Sequence, residues 1–178
     1  MSASTLQPHE HEFSLKGEDM TKFAITYRGT VYPWQCDHMG HMNSMWYVAK
    51  FDEASWQLLA SVGLTRSLFR EQEAGMVAVE QHIEYERELL AGDIVSVRSG
   101  VVEVMDKAIR IVHEMRNDET GVLMARTTIV GVHIDTKTRK ARSLPDDVRA
   151  RARTMITGKV GRTGGRVELQ LAPSAGLW

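Results

Sequence analysis

The sequence predicts an α+β fold in which an antiparallel sheet of about five or six strands wraps around one long central helix. Three observations carry this. Only the stretch from Trp46 to Leu64 spaces its apolar residues for a long helix, alternating segments lie before and after it, and the later segments follow one another too closely for parallel crossovers.

The first strand is read from Phe23, Ile25, Tyr27 and Val31, which alternate around Gly29, and Tyr32-Pro33 ends it. A polar cluster comes next, in residues 36 to 47, CDHMGHMNSMWY. The helix that follows, over about residues 44–62, carries Trp46, Ala49, Phe51, Ala54, Leu58, Leu59 and Val62 at helical spacing. Its rise of about 27 Å spans a small domain. Asn43 is placed to cap its first turn, and Gly63 to follow its last in the left-handed conformation.

Four more strands are expected in GMVAVEQHIEYERE, DIVSVRSGVVEV, AIRIVHEM and GVLMARTTIVGVHI, with Asn117 to Gly121 as a tight connection between the last two. In the first of these, Val77, Val79, Ile83 and Tyr85 alternate with Ala78, Glu80, His82 and Glu84. Arg139, Lys140 and Arg142 precede Pro145, after which DDVRARARTM reads as a short helix whose acidic start and basic continuation suit its dipole.

At 178 residues the chain can bury one useful core. Residues 1–20 read as a flexible leader and 21–157 as a single domain; 158–178 read as a tail in which VELQL can add a short strand. With 22 Lys plus Arg against 23 Asp plus Glu, nothing draws the whole chain to nucleic acid or to an anionic membrane. Cys36 stands alone, which excludes an internal disulfide and a cysteine-rich zinc scaffold. Neither a signal-peptide core nor an 18-residue apolar span is present, so a soluble, cytoplasmic protein is expected. A strand-linked dinucleotide fingerprint and a Walker phosphate loop are also missing.

The segment VYPWQCDHMGHMNSMWYVAKFDEASWQLL, with weaker support from YERELLAGDIV, resembles the acyl-CoA thioesterases of the 4-hydroxybenzoyl-CoA thioesterase-like group. The resemblance implies a hotdog fold, assembly as a homodimer or a tetramer of dimers, and hydrolysis of an acyl-CoA; the same fold can instead bind an acyl-CoA without hydrolysing it, carry out another thioester reaction, or act on an acyl-carrier-protein thioester. CoA then enters as part of the substrate, with no cofactor and no metal.

Asp37, Gly40, His41, Asn43 and Tyr47 fall where that family has its acid, glycine turn and helix opening. An acid at this place can attack a thioester carbonyl or take a proton from the attacking water; the residues leave both routes open. Backbone N–H groups around Met42 to Met45, above all near Ser44, lack earlier helical carbonyls and suit developing negative charge. Gly40 either lets the loop approach a ligand or supplies a permissive turn. His41 supports the reaction or bonds to backbone, His38 faces solvent, and Asn43 either caps the helix or donates from its amide.

A Cys36 thiolate mechanism lacks an orienting third residue, and Cys36, Asp37, His38 and His41 lack conventional zinc-protease spacing. Trp34, Trp46, Tyr47 and Trp56 can shape an acyl pocket or belong to the core, and aromatic faces there can receive a quaternary ammonium. Arg139, Lys140 and Arg142 are candidate contacts for the CoA phosphates. Glu80, His82, Glu84 and Arg87 can approach the cleft or face solvent.

Overall fold

The computed structural model describes residues 23–156. The expectations for the leader and for VELQL lie outside them.

Five strands, β1 (Ala24–Thr30), β2 (Ala74–Tyr85), β3 (Ile94–Val104), β4 (Ala108–Asn117) and β5 (Leu123–Asp135), form one sheet in the order β1-β3-β4-β5-β2. All four neighbouring pairs are antiparallel. The chain leaves β1 at one edge and enters β2 at the other. The connection between them therefore crosses the whole sheet, and α1 (Ser44–Ser61) lies within it. This is the hotdog arrangement that the sequence resemblance implies.

Helical spacing gives α1 one face that the sheet can cover. Tyr47, Phe51 and Ala54 pack with Val95, Val97 and Met115, while Leu58 and Leu59 pack with Val101, Ile109 and Ile111. The second cluster is closed by Val148 and Ala152 of α3 (Asp146–Thr154), the basic helix expected from sequence. Gly63, at φ +95°, ends α1 in the left-handed conformation. Among the described residues no helix is long and apolar enough to cross a membrane.

Two features depart from the sequence reading. A short helix, α2 (Arg66–Glu71), follows α1, and the Thr65 side chain accepts from Leu68 N–H at its start. In β2 the pairing register with β5 shifts between Ala78 and Glu80, so one extra residue reverses the faces of the strand. Met76, Ala78 and Gln81 thus line the same cavity, whereas Val77 and Val79 are exposed. Plain alternation from Val77 to Tyr85 does not hold across the bulge.

Gly29 has a specific use. A Cβ there would lie 2.2 Å from the Tyr27 hydroxyl, whose ring folds across the glycine to accept a hydrogen bond from the buried Lys50 Nζ at 2.9 Å. Lys50 also donates to the Thr30 carbonyl, tying α1 to the end of β1.

Candidate active site

The polar cluster forms a tight turn clamped to the start of α1. Asp37 N–H donates to the His41 carbonyl at 2.9 Å, and Gly40 N–H donates back to the Asp37 carbonyl at 3.0 Å. The Asp37 side chain is oriented by the turn itself, because Oδ1 accepts from Met39 N–H at 2.8 Å. Gly40 has φ +82° and open space where a Cβ would stand, so backbone conformation accounts for the glycine.

Three ties hold this turn against the rest of the chain. Asn43 N–H donates to the Gln35 carbonyl at 2.9 Å, and Met42 N–H to the Leu89 carbonyl at 2.7 Å. His41 bridges to Leu90 through backbone, and its Nε2 lies 3.0 Å from Glu88 Oε2. Glu88 was not singled out from sequence; it approaches His41 only because the segment after β2 folds back onto the turn.

At the helix start, Asn43 Oδ1 accepts from Met45 N–H at 3.0 Å and the Asn43 carbonyl accepts from Trp46 N–H at 2.9 Å. The Ser44 N–H is left without a partner among the described residues. Asn43 is thus the helix cap, and the open amide narrows from the range Met42 to Met45 to one position.

The aromatic candidates separate. Trp34 is 69% exposed and stacked on Tyr32, with ring centroids 4.3 Å apart. Trp46 is half-buried against the core. Tyr47 is buried, with its hydroxyl donating to the Arg87 carbonyl, and burial pushes its pKa up to about 12.

Arg139, Lys140 and Arg142 lie by the first residue of β2: Ala74 pairs with Asp135, and Arg142 donates to the Gln72 carbonyl. The Asp37 turn is tied to the segment beyond the other end of that strand. Twelve residues of strand, roughly 40 Å, separate the two within one chain.

A second polar feature runs through the core. The Ser55 hydroxyl donates to the Phe51 carbonyl at 2.8 Å and so accepts from His113 Nε2, 2.9 Å away. With its proton on Nε2, the His113 ring accepts at Nδ1 from Ser99, whose oxygen is in turn bonded to Thr26. Burial holds the His113 pKa at about 3, so the ring is neutral at ordinary pH.

Ser55 ends this chain at a pocket between α1 and β2, β4 and β5. The pocket encloses about 620 Å³, part of it open to solvent, and is lined on the helix side by Val48, Asp52, Ser55, Trp56 and Leu59. Helical spacing alone aligns these residues, but their chemistry was not visible until the sheet lay opposite. Among the described residues no group of three or more His, Cys, Asp or Glu side chains could hold a metal ion.

Comparison with known proteins fits this geometry. A hypothetical protein from Staphylococcus aureus, solved in complex with CoA, superposes with a TM-score of 0.71 at 18% identity, over 83% of this chain and 96% of that one. A 1,4-dihydroxy-2-naphthoyl-CoA thioesterase from Synechocystis superposes with a TM-score of 0.64 at 21% identity, over 72% and 94%. In sequence, an L-carnitine dehydrogenase/betainyl-CoA thioesterase of Agrobacterium fabrum is 28% identical over 109 residues, 61% of this chain. The match spans only 22% of that longer protein. The thioesterase-like superfamily pattern matches residues 31–152, from just after β1 through the Asp37 turn, α1 and the other four strands into α3. A sheet of this order, a helix crossing it and a family match over most of the described residues lead to one assignment: the chain belongs to the thioesterase-like superfamily.

Proposed function

We propose that the chain hydrolyses acyl-CoA thioesters to the carboxylic acid and CoA, with Asp37 as nucleophile or general base and Ser44 N–H polarising the acyl carbonyl. The observation that carries this is the open Ser44 amide at the start of α1, which directly follows the turn that orients the Asp37 side chain. Asp37 Oδ1 is occupied by Met39 N–H, and Oδ2 is the oxygen assigned to attack or to proton abstraction. Glu88 orients His41, which supports the attacking group from across the turn. CoA enters as part of the substrate and no cofactor takes part.

The assembly proposed is a homodimer or a tetramer of dimers. It is supported by β2, an edge strand of 12 residues with exposed Val77 and Val79, and by the exposed stripe Met45, Val48 and Trp56 on α1. Antiparallel pairing of two β2 edges would set the Ala74 end of one copy beside the Tyr85 end of the other. Arg139, Lys140 and Arg142 of one chain would then meet the CoA phosphates at the Asp37 turn of its neighbour. Light scattering at dilute concentration is expected to find at least a dimer; a catalytically active monomer would contradict it.

The direct test is a panel of acyl-CoAs, betainyl-CoA among them, followed by release of free thiol with wild type and folded Asp37→Asn in parallel. Turnover is expected to fall by at least about a hundredfold in the variant. Undiminished turnover by Asp37→Asn overturns the assignment.

A further inference from the structure

The pocket beside Ser55 has a one-sided hydrogen-bonding character. Its Trp56 indole N–H is already directed at Asp52 Oδ2, 3.3 Å away, and its Ser55 O–H at the Phe51 carbonyl. Ser55 oxygen takes one further bond, from His113 Nε2. Gln81 turns one amide N–H toward Thr127 Oγ1. The Asp52 carboxylate can only accept, and no Lys, Arg or His is among the described residues that line the pocket. Apart from the second Gln81 N–H, the polar groups left facing a ligand are acceptors, set in walls made by Ile109, Ile111, Ile129 and other apolar residues.

An anionic group finds only that one Gln81 N–H to bond there and meets a carboxylate. The phosphates of CoA are therefore kept out, and so is an acyl group ending in a carboxylate. A positively charged group fits on both counts, because Asp52 supplies the countercharge and Trp56 an aromatic face. Trp56 is braced for this by Phe69, whose ring meets it edge-on at 6.2 Å.

We propose that this pocket receives the distal end of the acyl chain of the substrate and selects acyl groups that end in an ammonium. The inference rests on the thioesterase reading for how the chain arrives, since the carbonyl would sit at Ser44. Asp52 lies eight residues further along α1, a rise of about 12 Å, so a chain entering from the same subunit is of medium length. A short acyl group reaches the pocket only from the helix start of a second copy.

The test uses two pairs of acyl-CoAs, with two-carbon and eight-carbon chains, ending either in trimethylammonium or in tert-butyl, which keeps the shape and removes the charge. kcat/KM is compared within each pair for wild type, Asp52→Asn and Trp56→Leu. Binding of the same compounds to Asp37→Asn protein is measured by calorimetry, so that the result does not depend on turnover. A preference for the charged member of roughly tenfold is expected in one pair, falling toward unity in Asp52→Asn and by a few-fold in Trp56→Leu. Equal values within both pairs, in turnover and in binding, overturn the proposal. Binding preference without any hydrolysis sinks the thioesterase reading and supports this one; hydrolysis without preference does the reverse.

Discussion

The neutral His113 makes a prediction about acid stability. In the unfolded chain this imidazole protonates near pH 6.5, whereas burial delays protonation in the folded protein to about pH 3. Between those values the unfolded state binds the proton and the native state does not, so stability falls as pH falls. Each unit of separation is worth about 1.4 kcal/mol, which gives about 3 kcal/mol lost between pH 6.5 and 4.5 and about 5 kcal/mol over the whole window, to order of magnitude. Urea unfolding of wild type and His113→Gln at pH 7.5 and 4.5 isolates this contribution. Glutamine keeps a polar side chain of similar reach without titrating, and the other buried imidazole, His133, contributes equally to both proteins. Wild type is expected to lose about 3 kcal/mol more than the variant over this interval. Parallel losses, or a His113 ring that titrates near its ordinary value in the folded protein, would refute the reasoning.

Asn43→Ala removes the oxygen that accepts Met45 N–H and is expected to lower stability by about 1 kcal/mol in urea unfolding. Because it also loosens the helix start, it should lower kcat more than it raises KM. Gly40→Ala is expected to cost about 1 kcal/mol through the backbone alone, since no atom stands within 4 Å of the new methyl group. Gly40→Asn, which tolerates that conformation better, should recover part of the loss, and equal losses in the two variants would point to some other cause.

Much of the fold was legible because each element is long enough to state its period. The 18 residues of α1 repeat their apolar face several times, β4 buries one full face, and β3 and β5 bury most of one. The bulge in β2 was not legible, since one inserted residue carries no compositional mark and yet exchanges Val77 and Val79 for Met76 and Ala78. The Asn43 cap and the Asp37 turn could be read because capping and turn chemistry are local. Glu88, Ser55 and His113 could not, because their partners lie far along the chain and meet only after the sheet forms. Distance explains the basic segment as well: Arg139 to Arg142 had the right chemistry for phosphate, but no sequence pattern reveals that a 12-residue strand separates them from Asp37.

The ties from the Asp37 turn to Leu89 and Leu90 bear on the order in which the molecule is made. Residues 36–43 are completed by a segment almost fifty positions later, and among the described residues the strand leading to that segment, β2, pairs only with β5. During synthesis α1 emerges early, but the turn has no fixed partner until the β5 segment, residues 123–135, has left the ribosome and closed a long loop onto β2. A chain stalled or cleaved before that point carries Asp37, His41 and the helix cap without the backbone clamp that orients them. On the proposed function, catalytic competence arrives with β5 and not with α1.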